Sequence, residues 1–242
     1  MQLNILHFFP EMMSLYGEYA NLAVLRRRLE TLGVQVTITA VGCDDAPDFS
    51  AVDMIYMGAG TERSQKAALK KLLPHADALK TAAERGALIL FTGNAMPMLG
   101  KTITDASGKS FDALALADFT TQESDKRIGE DVIAASTLWD APAVGFMNKC
   151  SVTTGITTPL FSALSLGFGN ETAGGAEGYA AGNILATHIT GPVLVKNPMF
   201  TDLVIRRLFA AKGWTLPEQL PKLPHEQEAY DVTLRELQAR VK

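Results

Sequence analysis

Cysteine, long hydrophobic runs and excess positive charge are all scarce in this sequence of 242 residues. Its two cysteines, Cys43 and Cys150, can form one disulfide at most, which is typical of free thiols in a reducing compartment. No apolar run approaches the roughly 18 residues that cross a bilayer, and the first residues lack the features of a signal peptide. A net charge of −4 argues against a basic surface for nucleic acid. We therefore expect a cytoplasmic protein that neither inserts into membranes nor binds nucleic acid.

Histidine is also sparse, with four residues in the chain. His7, His75 and His225 do not combine with Asp, Glu or Cys in a metal-binding spacing. We therefore expect no metal site, and no motif indicates a cofactor.

The first hundred residues alternate short apolar runs with helical patterns. One predicted helix carries leucines at positions 22, 25, 29 and 32, which form a single buried stripe. Strand, helix and strand in this order, joined by short loops, predict a parallel sheet with helices on both faces. The predicted strands are Leu3–Phe8, Val34–Val41, Val52–Met57 and Ala87–Phe91.

The composition changes after Gly100, where Gly, Thr, Ser and Asn become frequent. Short alternating runs such as Ala113–Phe119 and Ala143–Met147 predict antiparallel strands wrapped around one side of the same sheet. Residues 1–213 are interpreted as one domain. Residues 214–242 follow as a proline-containing linker and a final helix, which we expect to pack back on the domain rather than on another subunit.

Arg26, Arg27 and Arg28 stand side by side on the first helix. A solvent-exposed charged face is the simpler interpretation, and a contact surface for an acidic partner is the alternative.

Residues 87–100 have the pattern of a buried strand, a tight turn and a short helix. This is the geometry of a nucleophile elbow, in which one side chain at the turn is held above the sheet. Here the residue at the turn is Gly93, which has no side chain, followed by Asn94. We expect Gly93 to adopt a backbone conformation that is unfavourable for other residues. Gly58-Ala59-Gly60 also follows a strand, so both turns should lie together at the carboxyl edge of the sheet.

Five segments in the same order resemble the class I, triad-type glutamine amidotransferase family. The likeness is to its cobyric-acid-synthase-like branch, which includes the glutaminase subunits of lipid II isoglutaminyl synthases. It covers the chain to about Leu208 and implies a three-layer α/β/α, flavodoxin-like fold with added antiparallel hairpins. The segments are Leu15-Tyr16-Gly17-Glu18, Gly58-Ala59-Gly60 with Arg63 and Gln65, the elbow, Gly145-Phe146-Met147-Asn148, and Gly191-Pro192 through Asn197-Pro198.

In that family a cysteine at the elbow attacks the amide of glutamine and a histidine moves the proton. Alignment of the motifs places the family's cysteine at Gly93 and its histidine at Thr190. The resemblance therefore implies that both catalytic positions are degenerate and that glutaminase activity is absent. It also implies a ligand-binding role for the residues that border the family's cleft, namely Gly58, Ala59, Gly60, Arg63, Asn94 and Asn148.

Few other residues are candidates for the missing chemistry. Cys150 follows the Asn148 segment and could approach the cleft, but away from the elbow it would lack aligned oxyanion donors. His188 lies two residues from Thr190 and is interpreted as a structural histidine. Thr92 stands beside Gly93 without an evident histidine base, and Cys43 is interpreted as a loop thiol.

Three functions follow from these observations. The first is a non-hydrolytic structural or regulatory partner of an ATP-dependent, Mur-ligase-like amide ligase. The second is a working amidotransferase subunit that uses a displaced nucleophile or external ammonia. The third is a binding module that holds an amino acid or another carboxylate in the cleft.

Overall fold

The computed structural model describes residues 1–241 and contains two six-stranded sheets with helices packed around the first. In the first sheet, four neighbouring strands and a fifth from late in the chain are parallel. A short antiparallel strand completes the sheet at one edge. The strands are β1 (Gln2–Phe8), β2 (Gln35–Val41), β3 (Met54–Met57), β4 (Leu88–Thr92), β10 (Tyr179–Ala181) and β11 (Ile184–Thr187), in the order β10-β11-β4-β3-β1-β2.

The helices cover both faces of this sheet, as the sequence predicted. Side chains of β1 alternate between two cores, with Leu3 and Ile5 in one and Leu6 and Phe8 in the other. The helices are α1 (Tyr19–Thr31), α2 (Glu62–Leu72), α3 (Ala76–Glu84), α4 (Val193–Lys196), α5 (Pro198–Ala211) and α6 (Glu226–Gln238). The first core contains α1, α4 and α5, and the second contains α2 and α3. The result is three layers, α/β/α.

Antiparallel hairpins lie between Thr102 and Leu166, as predicted, but together with Ile189–Thr190 they form a second sheet of their own rather than wrapping around one side of the first. The strands are β5 (Thr102–Thr104), β6 (Ser110–Asp112), β7 (Thr120–Ser136), β8 (Ala143–Thr154), β9 (Phe161–Leu166) and β12 (Ile189–Thr190). The two longest strands of this second sheet, β7 and β8, pair with each other in antiparallel orientation.

The prediction of a strand at Ala113–Phe119 was wrong. The segment is irregular, and its backbone N–H groups donate to carbonyls of the chain after β4 (Ala113 to Lys101, Leu114 to Met98). Its apolar residues are buried against that chain, which accounts for their alternation without a strand.

The final helix packs back on the rest of the chain, as expected. Tyr230 and Leu237 of α6 are buried against Ile133 and Val144 of the second sheet. The hydroxyl of Tyr230 donates to the carbonyl of Pro142 at 2.7 Å.

Arg28 corrects the interpretation of the three arginines as one exposed face. Its side chain is fully buried and forms ion pairs with Asp202 of α5 and Glu226 of α6. Arg26 and Arg27 are exposed. None of the helices in residues 1–241 is long and apolar enough to cross a membrane.

Candidate functional site

The elbow has the predicted geometry. Strand β4 ends at Thr92, and a 3₁₀ helix begins at Gly93 and runs to Leu99. Gly93 has a φ of +60°, a conformation that residues with a Cβ rarely adopt. A Cβ placed on Gly93 would lie 2.5 Å from the Cβ of Ala59. The place where a nucleophilic side chain would begin is therefore already taken by Ala59.

Asn94 is hydrogen-bonded to the glycine-rich loop Gly58-Ala59-Gly60. This confirms that the loop and the elbow turn lie together. The Gly60 N–H donates to the Asn94 side-chain oxygen at 2.8 Å, and the Asn94 amide donates back to the Gly60 carbonyl at 2.8 Å. Gln65 also donates to the Asn94 carbonyl. A backbone N–H at this position could stabilise an oxyanion, but here Asn94 occupies that donor.

A buried carboxylate, that of Glu18, joins the elbow to Thr190. One carboxylate oxygen accepts from the Thr190 hydroxyl at 2.5 Å and from the Gly191 N–H at 3.0 Å. The other accepts from the hydroxyl of Thr92 and from that of Tyr56, at 3.0 Å for Tyr56. Burial raises the pKa of Glu18, and the hydrogen bonds oppose that effect.

The packing around Glu18 is closed. Glu18 and Thr92 are 0% exposed and Thr190 is 1% exposed. A Cβ on Gly58 would lie 2.7 Å from the Cβ of Glu18, so the glycine-rich loop lies directly against it. Thr92 has a carboxylate beside its hydroxyl, yet glutamine cannot reach a group that is buried on all sides. The Glu18 carboxylate is therefore fully engaged in hydrogen bonds within the protein and is not exposed to solvent.

A chain of polar contacts forms a partly exposed border next to the buried residues around Glu18. The Asn148 side chain donates to the Tyr16 hydroxyl at 2.8 Å and accepts from Arg127 at 2.9 Å. Arg127 also pairs with Glu62 at 2.8 Å. Tyr16 has a φ of +61°, which is rare for a residue other than glycine. These contacts connect the segment before α1, the start of α2 and both long strands of the second sheet.

A cavity of about 500 Å³ lies beyond this border, between α2 and the second sheet. Glu62, Arg63, Arg127 and Cys150 line it together with Lys66. The Cys150 thiol lies 3.5 Å from a carboxylate oxygen of Glu62. Burial and the nearby carboxylates raise the pKa of Cys150 to about 11, so the thiolate is scarce at neutral pH.

His188 belongs to a different buried cluster. Its Nδ1 lies 3.1 Å from Glu177, and the hydroxyl of Thr187 donates to the same carboxylate at 2.6 Å. Burial lowers the pKa of His188, and the positive charge of Lys149 adds to the shift. This fits the structural role expected for it. Met147, the departure from the family motif, is buried in the main core.

The residues expected to bind a ligand do not all line one space. Gly58, Ala59 and Gly60 are buried against Glu18 and the elbow, and the Asn94 side chain is bonded to Gly60. Asn148 lies at the border and Arg63 lines the cavity beyond it.

Sequence reasoning missed Glu18, Tyr56 and Arg127 as parts of the site. Glu18 carried a signal, because it is an acidic residue in a segment matching a family motif, but its burial could not be foreseen. Tyr56 stood inside a predicted apolar strand. Arg127 comes from β7, whose path depends on pairings distant in sequence.

Comparisons with known proteins bear on the family of this chain. A model of the CobB/CobQ-like glutamine amidotransferase domain matches residues 4–198. The lipid II isoglutaminyl synthase (glutamine-hydrolyzing) subunit GatD of Staphylococcus aureus is 28% identical over 230 residues, which is 94% of this chain and 92% of that protein. The same subunit of Streptococcus pneumoniae is 26% identical over 199 residues, 81% of this chain and 76% of that protein.

Solved structures support the fold. The crystal structure of a glutamine amidotransferase has a TM-score of 0.53 at 12% identity and covers 86% of this chain and 98% of its own. A glutamine amidotransferase from Thermotoga maritima has a TM-score of 0.52 at 10% identity, covering 99% and 97%.

Proposed function

This chain belongs to the CobB/CobQ-like glutamine amidotransferase family, and from that premise we propose that it is a non-hydrolytic subunit of an ATP-dependent, Mur-ligase-like amide ligase. The observation that carries the proposal is the filled elbow, where Ala59 stands against Gly93 and Glu18 bridges Thr92 to Thr190. The subunit would have a structural or regulatory role and would leave the supply of ammonia to another source.

Glutamine hydrolysis by this fold needs a nucleophile, a base and oxyanion donors in one open space. At the proposed equivalents of the first two, Gly93 has no side chain and the hydroxyl of Thr190 is bonded to Glu18. One backbone donor, that of Gly60, is taken by Asn94. These three features support loss of the hydrolytic step rather than its relocation.

The proposed partner comes from the relatives. GatD of Staphylococcus aureus is named as a subunit of a lipid II isoglutaminyl synthase, and 94% of this chain aligns with it. A chain that keeps this length while closing its elbow fits a role in assembly. Amidation of a lipid II-like acceptor is the reaction that we assign to the ligase. The free cysteines Cys43 and Cys150 fit action in the reducing cytoplasm.

Catalysis by a displaced nucleophile is the less favoured alternative. Cys150 is the thiol that lines the adjacent cavity, but its pKa of about 11 and its contact with Glu62 oppose formation of the thiolate. Arg127 is the nearby positive charge, and it is already paired with Glu62.

A second candidate function, binding of an amino acid or other carboxylate, is favoured by the open cavity. Arg63 lines this space and lies next to the paired Glu62 and Arg127. If binding there is the main function, calorimetry with L-glutamate should show saturable heat that Arg63→Ala removes and Arg235→Ala retains.

The proposal is tested by combining the purified chain with the Mur-ligase-like protein of the organism that encodes it. Amidation of a lipid II acceptor is measured with ATP and either ammonium or glutamine as the nitrogen source. We expect the two proteins to co-elute, and amide product to form with ammonium but not with glutamine.

Two results would contradict the proposal. Absence of a complex would remove the assigned partner. Glutamine-dependent amidation would show that the chain hydrolyses glutamine, and its loss in Cys150→Ser would identify the displaced nucleophile. Cys43→Ser is the matched control, because Cys43 lies away from the cavity that Cys150 lines.

A further inference from the structure

A second cavity, of about 400 Å³, lies between α1 and the strands β1 and β2, and none of its lining residues belongs to the elbow. Its walls combine apolar side chains with two arginines, one histidine and one carboxylate, Glu30, which is paired with Arg26. The other residues that shape it are His7, Tyr19, Leu22, Arg26, Arg27 and Ile38. We refer to it as the α1 cavity.

His7 is an incompletely satisfied polar group in the wall of this cavity. It is 7% exposed, and its Nε2 atom is buried without a hydrogen-bond partner among residues 1–241. Its ring contacts the ring of Tyr56, with centroids 5.3 Å apart. Burial lowers the pKa of His7 to about 4, so the ring is neutral at pH 7 and one of its nitrogens carries a proton to donate. A buried polar group without a partner is uncommon in folded proteins and calls for an explanation.

The rim of the α1 cavity carries two arginines. Arg26 pairs with Glu30 at 3.1 Å, and both side chains are about half exposed. Arg27 is exposed and makes no ion pair within the described part of the chain. Arg28 is buried in its ion pairs with Asp202 and Glu226 and takes no part. The guanidinium of Arg27 is thus available to an incoming anion, with Arg26 beside it.

We propose that the α1 cavity binds a small organic carboxylate, with its charged group at Arg27 and Arg26 and its apolar body against Leu22 and Ile38. Guanidinium and carboxylate match in geometry and can form two parallel hydrogen bonds. The Nε2 atom of His7 is buried, and it would bond the same ligand only if the side chain turned towards the cavity. The proposal is independent of the elbow and of any ligase partner, because it uses neither.

The test is a titration of the uniformly ¹⁵N-labelled full chain with benzoate, followed by backbone and arginine side-chain NMR signals. Benzamide, which is nearly identical in shape but uncharged, serves as the matched probe. We expect saturable shifts around α1 with benzoate and none with benzamide. Arg27→Gln should weaken benzoate binding by about tenfold or more, because a charge-assisted hydrogen bond is lost. Arg235→Gln, an exposed arginine on α6, should bind as the natural protein does.

The expected pattern also separates an organic carboxylate from a bare anion. Inorganic phosphate at the same ionic strength should shift the α1 signals less than benzoate, because it leaves the apolar wall uncovered. Equal affinity for phosphate and benzoate would overturn the assignment of an organic carboxylate. Equal binding by Arg27→Gln and Arg235→Gln, or no saturable shift around α1, would overturn the site itself. The arginine variants change exposed side chains, so the fold is expected to survive.

Discussion

Ala59 and Gly93 together close the elbow, because a side chain at either position limits the space at the other. The missing Cβ of Gly93 leaves the space that the Cβ of Ala59 fills. Restoring a side chain at position 93 alone would force these atoms together. We therefore expect that Gly93→Cys with Thr190→His would not rebuild the family's catalytic pair unless Ala59→Gly were added.

Gly93→Ala should destabilise the protein by about 2–5 kcal/mol, because a left-handed conformation costs about 1–2 kcal/mol and overpacking about 1–3 kcal/mol. The double variant with Ala59→Gly should recover part of this loss, with a coupling energy of about 0.5–3 kcal/mol. Unfolding in urea measures both values.

Gly213→Ala is the matched control for backbone strain. Gly213 has a φ of +64°, close to that of Gly93, but a Cβ there would meet nothing within 4 Å. Gly213→Ala should therefore lower the free energy of unfolding by only about 1–2 kcal/mol. Equal losses at Gly93 and Gly213, or no coupling with Ala59, would show that the two residues do not exclude one another.

Glu18→Gln should become less destabilising, relative to the natural protein, as the pH rises from 5 to 8. Burial raises the pKa of Glu18 in the folded protein above its ordinary value of 4.5. The folded state then holds the proton more tightly than the unfolded chain, so this contribution to stability is lost as pH rises through the folded pKa. The amide does not titrate.

Urea midpoints across this pH range, compared with those of the exposed control Glu30→Gln, measure the effect of Glu18. A stability difference that stays constant or widens towards pH 8 would contradict a raised pKa for Glu18.

At the scale of elements, helix α1 connects three parts of the molecule. Leu22, Leu25 and Leu29 bury one face in the main core. Arg28 holds α5 and α6, while Arg26 and Arg27 face the α1 cavity. Spacing of the leucines predicted the helix and its buried face. It could not separate Arg28 from its neighbours, because the acidic partners lie 174 and 198 residues away in sequence.

Arg28→Ala should cost about 3–5 kcal/mol, the usual result of removing one partner from a buried ion pair. Asp202 and Glu226 would be left without their guanidinium partner in largely buried positions. Hydrogen exchange should accelerate most in α6, which loses its link to α1. Arg26→Ala is the control, since its exposed pair with Glu30 is worth about 0.3–0.5 kcal/mol. Unchanged exchange in α6 would contradict this role for Arg28.

At the scale of the whole molecule, local patterns predicted the parallel sheet, its helices and the later antiparallel hairpins, but not the assembly of those hairpins into a separate sheet. Runs such as Ala87–Phe91 are apolar at every position because both faces of the strand are buried, so the sequence alone indicates a buried strand. Strand β7 has many exposed positions, and its register with β8 contains an irregularity between Glu123 and Ile128. Ala113–Phe119 has an alternating pattern because its residues pack around the elbow, not because it is a strand.

The sequence predicted where the candidate site lies, but not which side chains fill it. The strand ends and glycines placed Gly60 beside Asn94, and the structure confirms that contact. The side chain that fills the site, Glu18, comes from the segment before α1, and a sequence pattern does not show which carboxylate is buried. Ala59 and Glu18 close the elbow, and this closure bears directly on whether the chain can hydrolyse glutamine.

That closure is tested most directly by incubating the purified chain with glutamine and measuring glutamate against a no-protein control. We expect the same rate with and without the protein, and no change in Cys150→Ser. Glutamate formed above the control in proportion to protein concentration would contradict it, because the elbow at Gly93 would then be open to substrate or another group would perform its chemistry.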